Sequence, residues 1–96
     1  MKLKIATVIN LLLFSFVIFA QQQITVTGTV TEGATGDPAI GVTVLVKGTT
    51  IGTVTDIDGN YTLSNVPQDA IIVFSYIGML TIEEPLNGRS VVSVIM

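Results

Sequence analysis

Residues 41 to 61, Gly-Val-Thr-Val-Leu-Val-Lys-Gly-Thr-Thr-Ile-Gly-Thr-Val-Thr-Asp-Ile-Asp-Gly-Asn-Tyr, hold two alternating strand patterns joined by Gly and Thr and closed at Asp58-Gly59. A period of two sends successive side chains to opposite faces, so this stretch reads as strand and not helix. Val42, Val44 and Val46 form the buried face of one strand, which ends at Lys47-Gly48. Gly52 to Thr55 and Asn60 to Ser64 are expected to pair as a hairpin around Ile57-Asp58-Gly59, because Asp-Gly supports a tight reversal.

The same period continues outward in both directions. Ile24 to Thr31 is a strand with Ile24, Val26 and Val30 on one face and Thr25, Thr27, Thr29 and Thr31 on the other, a face that threonine keeps hydrated. Glu32 to Pro38 is a loop, broken by Gly33, Gly36 and Pro38. On the other side, Asn65 to Ala70 is a connector holding Pro67, and Ile71 to Ile77, apolar on both faces apart from Ser75 and the Tyr76 hydroxyl, reads as a central strand carrying most of the core. Leu80 to Leu86 and Arg89 to Met96 are expected to make a last hairpin across Asn87-Gly88, with Pro85 marking an edge strand. Regularly spaced turns and the lack of any amphipathic helix pattern predict an all-β sandwich.

Ahead of this lies a different composition. Lys2 and Lys4, the apolar run Ile5 to Phe19 and the small Ala20 read as an export signal, residues 1–20, cleaved to leave a domain of residues 21–96. An uncleaved anchor is the competing reading, and Asn10 and Ile18 fit a signal imperfectly. Residues 5–20, as a helix, span only ~24 Å against a hydrocarbon core of ~30 Å. No cysteine follows the run, so a lipid-anchored form is not available. The remaining 76 residues carry two cations and seven carboxylates, a net charge of −5. Such a chain has no basic stripe for phosphates, and nucleic acid is not an expected partner. It is long enough for one small domain burying ~60% of its unfolded surface.

Catalytic, cofactor and metal sites are not expected. The chain has no His and no Cys, which removes the usual bases, nucleophiles and zinc ligands. Glu83 and Glu84 are neighbours in a strand and point to opposite faces. Asp56-Ile-Asp58-Gly-Asn60 spaces oxygen donors as a calcium loop does, but Gly59 falls too early for an EF-hand, and a turn whose Asp and Asn bond their own backbone is the simpler reading. Tyr61 and Tyr76 read as core anchors with hydroxyls at a rim, with sugar stacking as the alternative. The Gly48 to Gly52 segment lacks the ending and helix of a phosphate loop, and its glycines suit a strand bending between sheets. Lys47 and Arg89 can pair with carboxylates at little energetic gain. The Ile24 to Thr31 strand and the Pro85 strand are candidate edges for strand addition.

The ordered set Ile24-Thr-Val-Thr-Gly-Thr-Val-Thr, Thr35-Gly36-Asp-Pro38, residues 41–50, Gly52 to Tyr61, Phe74-Ser-Tyr-Ile-Gly78 and Gly88-Arg89 resembles the carboxypeptidase-regulatory-like domain. More narrowly it resembles the version at the N-terminus of SusC/RagA-type TonB-linked outer-membrane receptors of Bacteroidetes-like bacteria. The resemblance implies a seven-stranded, transthyretin-like or Ig-like β-sandwich of Greek-key type, placed in the periplasm ahead of a plug and barrel. Implied partners are that plug and barrel, TonB-system or other periplasmic proteins and a paired surface lipoprotein, with outer membrane by association.

Transthyretin-related hydrolases share such a fold, but their sites depend on histidine. The chain is expected to be a fragment or truncation, since it stops at Val92-Ser-Val-Ile-Met96 without TonB box, plug or barrel strands. Met79-Leu80 and Ile95 depart from the family's more polar or aromatic residues and are expected to expose apolar surface. A free-standing exported module that binds carbohydrate or protein is the alternative function.

Overall fold

A computed structural model describes residues 22–96; the expected signal-peptide helix and the cut after Ala20 lie outside the described residues. Seven strands and no helix follow among them: β1 (Gln23–Thr31), β2 (Thr43–Val46), β3 (Gly52–Val54), β4 (Asn60–Pro67), β5 (Ile71–Ser75), β6 (Ile82–Pro85) and β7 (Val94–Ile95). One sheet has the order β4-β1-β7 and the other β3-β2-β5-β6. The expected β-sandwich is present, and the alternation of the sequence explains its two layers. Val26 and Val30 of β1 and Leu63 of β4 are buried against Val44, Val46, Ile72 and Phe74 of the second sheet. Tyr61 of β4 and Phe74 of β5 meet across the layers, ring centroids 5.6 Å apart and planes at 74°, an edge-to-face contact.

Two expected hairpins are instead crossings between the sheets. β3 pairs with β2, whereas β4 pairs with β1. Asp58-Gly59 does reverse the chain, with the Gly59 N–H donating to the Asp56 carbonyl and the Asp56 N–H to that of Asn60, both at 2.9 Å. The Gly59 carbonyl, however, already accepts the Val30 N–H at 2.8 Å, so the chain leaving the turn is bound to the other layer. Burial of Tyr61, Leu63 and Val66 beside β1 decides this choice, because a turn's local chemistry does not select the ladder that follows it.

The hairpins are instead β2–β3, closed through residues 47–51, and β5–β6, closed through residues 76–81. In the first of them Gly48, at φ 77°, turns within one sheet, rather than bending a strand between sheets.

The Asn87-Gly88 turn behaves similarly. Both residues are left-handed, at φ 50° and 75°, as a type I′ turn requires, and the Arg89 N–H donates to the Leu86 carbonyl at 3.0 Å. Beyond it the chain joins β1 in parallel, Val30 opposite Val94 and Thr31 opposite Ile95, instead of returning along β6. Val92 and Val94 are thereby buried, which a return along the exposed edge β6 does not achieve.

Two boundaries also move. Asn65 to Pro67 belong to β4 and not to a connector. The register slips between Ile24 opposite Val66 and Val26 opposite Leu63, so β4 holds one extra residue, and Asn65 takes it up at φ 58°. Pro67 is tolerated because β4 is an edge. β5 is central as expected, but it ends at Ser75 and buries one face only. Ile72 and Phe74 are fully covered, Ile71 and Val73 half-covered, and Ile77 projects into solvent.

Candidate interaction surfaces

The residues singled out for chemistry make local contacts within the fold. The Asp56 carboxylate accepts the N–H groups of Asp58 and Asn60, each at 2.9 Å. The Asn60 side chain accepts the Thr29 hydroxyl at 2.7 Å, tying turn to β1. These are the backbone bonds of the turn reading, and among the described residues no three or more acidic, His or Cys side chains converge.

Glu83 and Glu84 diverge as their strand position requires. Glu83 pairs with Lys47 at 2.8 Å, and Glu84 with Arg89 at 3.3 Å. Arg89 also donates to the carbonyls of Leu86 and Pro85, clamping the turn at which the chain leaves β6.

Tyr61 is buried and its hydroxyl donates to the Val92 carbonyl. Burial pushes its phenol up to about 12, the Arg89 charge pulling weakly the other way. Tyr76 is half-buried against the core and borders a shallow depression of about 370 Å³ between Gly41, Thr43, Ser75, Tyr76 and Ile77.

Three contributors have no obvious mark in the sequence. The buried Thr55 hydroxyl donates to the Ala39 carbonyl and accepts the Val42 N–H at 2.9 Å, joining the β1–β2 connection to the end of β3. Gly28 lets the Val92 backbone approach so closely that a Cβ would stand 1.8 Å from the Val92 oxygen. The depression draws on residues more than thirty positions apart, which no local pattern reports.

As for the proposed edges, β1 is the centre of its sheet and offers none. The edges are β4 and β7 in one sheet and β3 and β6 in the other, so the Pro85 strand is an edge as expected. Met79, Leu80 and Ile95 are exposed, as their departure from the family pattern led us to expect.

A family model described as the CarboxypepD_reg-like domain matches residues 26–94. The TonB-dependent receptor P39 of Formosa agariphila is 44% identical over 89 residues, which is 92% of this chain and 8% of that protein. The TonB-dependent receptor SusC of Bacteroides thetaiotaomicron is 53% identical over 68 residues, 71% of this chain and 7% of that protein. The chain thus spans less than a tenth of the length of these relatives. Among solved structures, one from a type II cohesin–X-dockerin complex of Acetivibrio cellulolyticus superposes with a TM-score of 0.59 at 22% identity, covering 75% of this chain and 52% of the other, and shares the fold.

Proposed function

The chain belongs to the CarboxypepD_reg-like domain family, and on that footing we propose that it is a non-catalytic interaction module of a SusC/RagA-type TonB-dependent outer-membrane nutrient receptor. The observation that carries this reading is the pairing of high identity over most of this chain with a small share of each relative. In this reading residues 1–20 direct export and residues 21–96 form the periplasmic domain. Plug and barrel of the receptor class are its covalent neighbours, and TonB-system proteins or a paired surface lipoprotein its further contacts.

A non-catalytic role is supported by the local duties of the polar side chains. Asp56 holds a turn, Glu83 and Glu84 hold separate cations, and the Tyr61 hydroxyl holds a carbonyl. None of these is left poised for proton transfer.

Fractionation of native cells with an antibody against residues 21–96 tests the assignment. A band of the relatives' size in the outer membrane is expected. A small soluble periplasmic band overturns the receptor reading and favours a free-standing binding module.

A further inference from the structure

Three connections, residues 32–42, 55–59 and 76–81, gather at one end of the sandwich. The register fixes this: Thr29 at the end of β1 faces Asn60, Thr43 faces both Val54 and Ser75, and the Gly41 and Ala39 N–H groups reach the Thr55 and Val30 carbonyls. Among the described residues eight large apolar side chains are exposed, and all but Val91 sit at this end, among them Ile40, Ile57, Ile77, Met79, Leu80 and, at the same end of β7, Ile95. Ile77 and Leu80 are 97% and 89% exposed, so neither supports the core. An apolar cluster kept in water without a packing role marks a contact surface.

Charge is distributed with equal asymmetry. Glu32, Asp37, Asp56 and Asp58 belong to the same connections. Both cations of the described residues lie toward the other end, Lys47 after β2 and Arg89 after β6, and each is paired with a β6 glutamate. Among the described residues the apolar end therefore carries four carboxylate side chains and no cationic one. We propose that this end docks a basic, partly apolar protein segment, an extended stretch in which Lys or Arg alternates with aliphatic residues.

The depression between Gly41, Thr43, Ser75, Tyr76 and Ile77 takes one aliphatic anchor, with the Thr43 and Ser75 hydroxyls at hand for its backbone. The carboxylates of the same end select for cationic neighbours and speed their encounter. A second copy of the chain would set carboxylates against carboxylates, and an anionic membrane surface would be repelled in the same way. The inference deepens the interaction-module reading and takes its biological setting from it. Its test needs no receptor, so its failure is distinct from a failed fractionation result.

The probe is a synthetic peptide of alternating Lys and Leu, titrated into the purified, isotope-labelled full chain and followed by amide NMR. Shifts confined to residues 32–43, 55–59, 75–81 and 94–96 are expected, with affinity falling as salt rises. Ile77→Ser with Leu80→Ser should weaken binding about tenfold or more. Asp37→Asn with Asp58→Asn should weaken it several-fold and flatten the salt dependence, while Lys47→Gln at the other end leaves it unchanged. All these positions are exposed, and unchanged amide spectra elsewhere report that the fold is kept. Equal binding of the matching Glu and Leu peptide, shifts located elsewhere, or no binding overturns the proposal. So does binding of phosphatidylcholine vesicles in preference to the peptide, or dimerisation through this end in sedimentation velocity.

Discussion

The Tyr61 side chain on β4 passes over Gly28 of β1 and donates its hydroxyl to the carbonyl of Val92, on the segment flanking β1's other side. One aromatic residue thereby spans the three-stranded sheet, because the central strand presents no side chain at the crossing. Removing the hydroxyl in Tyr61→Phe leaves the ring in place and the Val92 carbonyl without this partner. Urea unfolding should show a loss of about 1–3 kcal/mol. Hydrogen exchange should quicken in residues 90–96 before it does in β2 or β5.

At Gly28 the constraint is steric. An added Cβ meets the Val92 oxygen at 1.8 Å and the Tyr61 ring at 2.8 Å, and the first of these is backbone that cannot rotate away. Gly28→Ala should cost about 3 kcal/mol or more, with β7 displaced. Denaturant melts and the amide spectrum of residues 90–96 check this, and a variant as stable as the parent would refute the close approach.

Alkaline stability follows from the same phenol. Burial raises the Tyr61 pKa from 10.0 to about 12, so the folded state holds this proton more tightly than the unfolded state does. The resulting stabilisation is complete below pH 10 and is lost progressively as pH rises toward 12. Its full extent is on the order of 3 kcal/mol. Chemical denaturation at intervals from pH 8 to 12 should show a steeper decline in the parent than in Tyr61→Phe, and parallel profiles would count against it.

Thr55→Val preserves shape while stripping the hydroxyl from between the Ala39 carbonyl and the Val42 N–H. Both groups belong to buried residues, so a destabilisation of about 1–3 kcal/mol is expected although the change is nearly isosteric. Thermal melts of this variant beside Thr53→Val, two residues earlier and within β3, separate the bond from threonine content in general.

Asn65 at φ 58° makes the opposite prediction for its two natural replacements. Asn65→Gly should be close to neutral, and Asn65→Val should cost about 1–3 kcal/mol through left-handed strain at the bulge. Equal stabilities for the two would mean that the extra residue of β4 is accommodated elsewhere.

The reach of the sequence reading follows from the range of each signal. Alternation puts Val26, Val30, Val42, Val44 and Val46 inward correctly, since facing the core depends on each strand alone, whereas in β5, apolar on both faces, it does not separate the covered Ile72 and Phe74 from Ile71 and Val73. Asp58-Gly59 and Asn87-Gly88 were correctly read as turns, also a local property. Their partners were misread, because a tight turn favours a hairpin only when the following strand gains most by staying in the same sheet. Tyr61, Leu63, Val92 and Val94 gain more beside β1, and that preference depends on residues about thirty to sixty-five positions away. The contact-surface residues were legible in part: Met79, Leu80 and Ile95 stood out as apolar where polarity was expected. Their gathering with Ile40 and Ile57 at one end required the topology.

The parallel pairing of β1 with β7 gives the module a direction under load. The described chain enters at one end of this strand pair and leaves at the other, with the Thr27 N–H held by Ser90, that of Val92 by Thr27 and that of Met96 by Thr31. A pull between residues 22 and 96 would strain these bonds in shear, together, and would not peel them one by one as in an antiparallel edge pair loaded from one end. Single-molecule extension from those two points should therefore show one abrupt rupture; a gradual lengthening would mean that the two strands do not share the tension.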